Sequence, residues 1–154
     1  MQLALAPTAL ALATALTAPG ALAGDTAPEA DLAHHGRITM TADRVTVALT
    51  PQNHGPSDVP DATVRLTWSA PLADAQTLPA ACLRTGPRTV GCRTGALPAD
   101  TYGTPFTVRV RLAAAATEVT VRIATAFGGG SVDHNPDNDR HEVLVLDTGD
   151  TYYF

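Results

Sequence analysis

A chain of 154 residues has room for one domain and a leader. Its formal charge of −5 sits mainly past Ser131, where Asp133, Asp137, Asp139, Glu142, Asp147 and Asp150 oppose only Arg140, and it argues against nucleic acid, which requires a basic face. All ten basic residues are arginine, so a Schiff-base lysine, a lysine general base, a phosphate-loop lysine and a lysine–asparagine crosslink are excluded.

The first 23 residues are apolar, small and uncharged, and they close on Ala21-Leu22-Ala23, a small-x-small pattern that a signal peptidase accepts. They are expected to be a signal peptide, although no Arg or Lys follows Met1. Alanine, threonine, proline and glycine make this stretch a poor membrane anchor, and no membrane span is expected in the mature chain. Residues 24–29 are short and acidic and are expected to be a flexible N-terminus.

From there the chain reads as strands. "RITMTA", residues 37–42, is a weak first strand. "RVTVALT" points Val45, Val47 and Leu49 one way and Arg44, Thr46 and Thr50 the other. "ATVRLTWS" repeats this with Val64, Leu66 and Trp68 inward and Arg65 outward. "PFTVRVRLA" places Phe106, Val108, Val110 and Leu112 inward, against Thr107, Arg109 and Arg111. "EVTVRIATAF" sets Val119, Val121 and Ile123 against Thr120 and Arg122, and "HEVLVLD" closes with Val143 and Val145. Period-two alternation over several runs means half-buried antiparallel strands. Turn residues separate them, among them Asn53-His54-Gly55-Pro56, Pro98-Ala99-Asp100 and Asn135-Pro136. The expected fold is all-β, an immunoglobulin-like two-sheet antiparallel sandwich over residues 30–146, with residues 147–154 as an aromatic tail.

Cys82 and Cys92 are a closely spaced pair, which in an exported protein reads as a disulfide. The bridge would staple two short strands around Thr85-Gly86-Pro87, not span the two sheets as in antibody domains.

Several motifs then stand in a recognisable order: "NHGPSD" at residues 53–58, the cysteine pair with "VGC", "GAL" at residues 95–97, "PFTVRVRL", and "DHNPDND" at residues 133–139. Together they resemble the bacterial surface repeat known as Domain of Unknown Function 11, which is related to bacterial cell-adhesion domains. That resemblance covers residues 30–146 and implies an exported, immunoglobulin-like structural or adhesive module without catalytic residues. Two departures stand out: the family often occurs in tandem while one copy is present here, and Asp139 replaces the second Asn of the final motif.

The acidic loop invites a calcium reading, because Asp133, Asn135, Asp137 and Asp139 fall at alternate positions. An EF-hand also needs Gly sixth and Glu twelfth, where Asn138 and Leu144 stand, so only a looser, weak calcium site is left. The alternative is a set of Asx turns fixed by Asn135-Pro136. The five histidines are expected on turns and exposed faces, too dispersed for zinc. Only Ser57, Ser69 and Ser131 are available as serine nucleophiles, none in a G-x-S-x-G turn, and no constellation for an enzyme is found.

Outward Arg65, Arg109, Arg111 and Arg122 form a candidate binding face, the last three expected as neighbours on one sheet, for sulfated or carboxylated polymers. The stapled loop with Arg84 and Arg88 could be offered to a trypsin-like protease. Tyr152, Tyr153 and Phe154 are expected to dock on the domain. The resulting expectation is a secreted, non-catalytic binding or structural module, associated with an unknown protein or cell-envelope polymer. The alternatives are a calcium-dependent adhesion module and a secreted protease inhibitor.

Overall fold

The computed structural model describes residues 26–154, so the expected signal peptide over residues 1–23 lies outside the described residues. In chain order the strands are β1 (Glu29–Ala30), β2 (Leu32–Thr41), β3 (Arg44–Asn53), β4 (Thr63–Trp68), β5 (Cys82–Gly86), β6 (Thr89–Arg93), β7 (Thr101–Tyr102), β8 (Phe106–Arg111), β9 (Glu118–Phe127), β10 (Val132–Asp133), β11 (Arg140–Leu146) and β12 (Thr151–Tyr153). They form two antiparallel sheets, ordered β11-β9-β4-β6-β5 and β12-β2-β3-β7, with β8 also paired to β3. A short parallel pair, β1 with β10, closes one end. The fold is an all-β, immunoglobulin-like sandwich. Among the described residues no helix is long and apolar enough to cross a membrane.

The inward residues read from the alternation form the core. Val45, Val47, Leu49, Val64, Leu66, Trp68, Val108, Val110, Leu112, Val119, Val121, Ile123 and Val145 are all buried between the sheets. Each large aliphatic side chain so buried contributes about 1.5–3 kcal/mol relative to exposure. A second, smaller cluster of Ala30, Leu32, Val59, Ala62 and Leu97 fills the end near β1 and β10.

The first long strand begins earlier than its alternation suggests. β2 runs from Leu32, and its N-terminal half pairs with the Pro51-Gln52-Asn53 end of β3. Polar His34, His35 and Gly36 hide the period-two signal there. The segment expected to be loose is also pinned at its end: Val132 N–H donates to the Pro28 carbonyl, and Glu29 pairs with Val132.

The aromatic tail is part of the sandwich. β12 adds antiparallel to the outer edge of β2, with Tyr152 opposite Ile38 and Tyr153 opposite Arg37. Tyr152 and Phe154 pack against the core, while Tyr153 faces out at 77% exposure. The sheet therefore extends beyond the Leu146 boundary read from the sequence.

The disulfide joins Cys82 and Cys92, which face each other across the β5–β6 hairpin. The turn falls at Pro87-Arg88, one residue later than expected. Cys92 is buried in the core and Cys82 is half-buried.

Candidate functional site

The sheet topology redistributes the arginines. Arg109 and Arg111 lie on β8 and Arg65 and Arg122 on β4 and β9, which belong to the other sheet. The four do not share a face, and Arg122 does not neighbour Arg109 and Arg111. Alternation tells which residues point out of a strand but not which layer the strand joins. Arg122 is moreover neutralised by Glu142, its cross-strand neighbour, at 2.8 Å. This pairing lowers the Glu142 pKa and raises that of Arg122 through the shared hydrogen bond.

A different set converges on the β2-β3-β8 face. Arg44 sits directly opposite Arg111, and Arg109 lies opposite Thr46 one pleat further on. Arg37 is exposed on β2, on the side opposite buried Ile38. Asp43 holds Arg111 at 3.2 Å. Among the described residues Arg37, Arg44 and Arg109 have no carboxylate within ion-pair reach. Like charges directly opposite across a strand pair are destabilising, so Arg44 and Arg111 represent a local cost to folding. The chain thus carries a positive sheet face although its net charge is −5.

Along the rim of this face runs a cleft of about 630 Å³, lined by Arg44, Thr46, Thr107, Arg109 and Arg111 on one side and by residues 75–79 on the other. The volume is in the ordinary range for ligand pockets, ~300–1,000 Å³. Gln76 builds one end of it. Its side-chain oxygen accepts from the Arg111 N–H at 2.9 Å, and its amide donates to the Arg111 carbonyl at 2.8 Å.

The other candidate residues have structural occupations. Asp133 Oδ2 accepts from the Leu32 N–H at 3.0 Å and Oδ1 from the Asn135 N–H at 2.8 Å. Asn135 and Asp137 are exposed, while Asp139 is buried at 5% exposure. Among the described residues no three His, Cys, Asp or Glu are grouped to hold a metal ion. The loop is an Asx turn clasping β2.

Beneath it lies a buried polar cluster that the sequence did not suggest. His34 is buried, not exposed as expected, and its Nε2 hydrogen-bonds the Thr125 hydroxyl at 2.9 Å. Burial lowers its pKa to about 4, and His141 adds to the shift. Burial raises the carboxyl of Asp139, Asp133 adds to this, and Thr125, Arg140 and His141 pull it back. One Asp139 oxygen lies 3.5 Å from the Arg140 guanidinium without a hydrogen bond.

Arg84 is also committed. Its guanidinium donates to the carbonyls of Gly86 and Pro87 and to those of Leu72, Ala73 and Asp74. It ties the hairpin to the loop after β4, while Arg88 at the turn is exposed.

Two of the sequence motifs, "NHGPSD" and "GAL", meet at the end holding the small core. Fully buried Asn53 donates to the carbonyls of Ser57 at 2.8 Å and Leu97 at 3.0 Å, and accepts from the Gly55 N–H at 2.9 Å. The first residue of "NHGPSD" thus fastens that turn to the last residue of "GAL". The Asp58 carboxylate adds a bond by accepting from the Ala99 N–H. No family model, no curated protein and no solved structure matches this chain, so the functional reading stands on this geometry.

Proposed function

We propose that this chain is a secreted, non-catalytic immunoglobulin-like module that binds an anionic partner through the β2-β3-β8 face. The observation that carries the reading is the set Arg37, Arg44 and Arg109, held without carboxylate partners among the described residues on a rigid sheet. Unpaired like charges on a folded surface favour an anion, and a sheet holds them at fixed spacing.

The reading of an exported, cell-envelope module draws on three further supports. The Cys82–Cys92 disulfide suits an oxidising compartment. The first 23 residues have the composition of a leader. Two of the motifs that resemble the surface repeat, "NHGPSD" and "GAL", are fastened to each other by Asn53.

The test is retention on an immobilised anionic polymer, dextran sulfate, across a salt series. The triple substitution Arg37→Gln, Arg44→Gln and Arg109→Gln is expected to weaken binding at least tenfold. Arg65→Gln with Arg122→Gln, on the opposite face, is expected to change it less than twofold. Equal loss from both sets would remove the reading.

A further inference from the structure

The arginine face ends at an open strand edge, and the two features together specify a partner more narrowly than charge alone. β8 pairs with β3 and with no other strand among the described residues. In an antiparallel strand the N–H and C=O of alternate residues point to opposite edges. Leu112 N–H turns toward β3, where the Asp43 carbonyl accepts it. Arg111 turns the other way: its N–H and carbonyl are taken by Gln76, and its carbonyl also accepts from Ala73 N–H. By the same parity, Arg109 and Thr107 aim their backbone groups at the free edge, into the cleft they line.

Gln76 shows what this edge accepts. Its side-chain amide makes the same donor–acceptor pair with Arg111 that a neighbouring strand residue would make. The chain thus closes β8 at Arg111 and leaves the next two edge positions open. Open edges are usually blunted by proline, by bulges or by covering chain. Here the covering segment stands off as the far wall of the cleft, with Thr77, Leu78 and Pro79.

Resting on the anionic-partner reading above, we infer that β8 receives an extended acidic peptide segment as an added strand at Thr107 and Arg109. Main-chain bonds to the edge supply the pairing, as in strand addition generally. Acidic side chains on alternate residues of the guest, all on one face of the strand, lie over Arg109 and Arg44. An anionic polysaccharide would meet the arginines but could not use the free N–H and C=O groups in this register.

The experiment titrates the full chain with a capped octapeptide alternating glutamate and threonine. The comparison probes are analogues N-methylated at one or other alternate set of residues, and dextran sulfate. The octapeptide is expected to bind at a strength that falls with salt, and one analogue is expected to bind at least tenfold more weakly. Thr107→Pro, which removes an edge-facing N–H while leaving the bonds to β3, is expected to weaken the octapeptide by a similar factor at an unchanged thermal midpoint. Equal binding of both analogues and the parent overturns strand addition and leaves the anionic face standing. Binding of dextran sulfate alone has the same consequence. Binding of neither polymer nor peptide overturns this inference and the proposed function together.

Discussion

Gly36 and Phe154 exchange both of their backbone hydrogen bonds, each at 3.1 Å, and a side chain begun at Gly36 would meet the Phe154 ring at 2.6 Å. The Ala48 carbonyl crowds the same point from β3. Glycine is required here by close approach. Gly36→Ala is expected to lower unfolding stability by about 1–3 kcal/mol, the usual cost of overpacking. Urea titration with intrinsic fluorescence checks it, and an unchanged midpoint would show that β12 lies elsewhere.

Asn53 provides the second prediction. Asn53→Ala would leave the Ser57 and Leu97 carbonyls and the Gly55 N–H without their partner at a buried site. A buried group so orphaned costs about 1–3 kcal/mol, and a loss near ~3 kcal/mol is expected for the set. Hydrogen exchange should localise the damage to residues 53–59 and 95–100, with the main core still protected.

Stability should also depend on pH through His34. Its folded-state pKa, about 4, lies below the unfolded value, so the unfolded chain takes up the proton first. The contribution is complete above about pH 6.5 and declines as pH falls toward the folded value, with a total near roughly 3 kcal/mol. His141 and His35 add repulsion, and the Ala33 backbone bond opposes it. Asp139 acts in the other sense, because its raised carboxyl favours the folded chain as pH falls. His34→Gln, which can still reach Thr125, is expected to remove most of the decline between about pH 7.5 and pH 4.5. Unfolding midpoints at the two values measure it.

Arg84→Met should free the loop after β4, because five backbone carbonyls lose a bond from the guanidinium, although Ala73 keeps Gln76 and Pro87 keeps the Leu72 N–H. A loss of about 1.5–3 kcal/mol is expected, as for bonds to a charged group. Faster proteolysis within residues 71–79 should accompany it.

Replacing Cys82 and Cys92 together by alanine should cost ~2–3 kcal/mol in the chain-entropy description of so short a loop. Circular dichroism should keep its strand signature, because β6 also pairs with β4. Loss of all strand structure would show that the hairpin nucleates the sheet.

The strands were legible in the sequence because alternation is a local property. Val45, Val47 and Leu49, or Val119, Val121 and Ile123, need no knowledge of the rest of the chain to be read as one face. The layers were not legible for the same reason. "TVRL" in β4 and "TVRV" in β8 look alike, yet Arg65 and Arg109 belong to opposite sheets. Alternation points Arg44 outward, but only the pairing of β3 with β8 brings it beside Arg109 and Arg111. Arg37 was hidden in a weakly patterned strand. Arg84 and His34 escaped because nothing in sequence spacing announces a guanidinium turned onto distant carbonyls or a histidine turned inward.

Among the described residues the outer strand neighbour of β2 is β12, continued by the Gly36–Phe154 pair. During synthesis β2 therefore waits with this flank unpaired until the residues of β12 have been made. A nascent sandwich in that condition offers a template to any extended segment nearby, and removal of residues 151–154 should promote exchange of strands between copies.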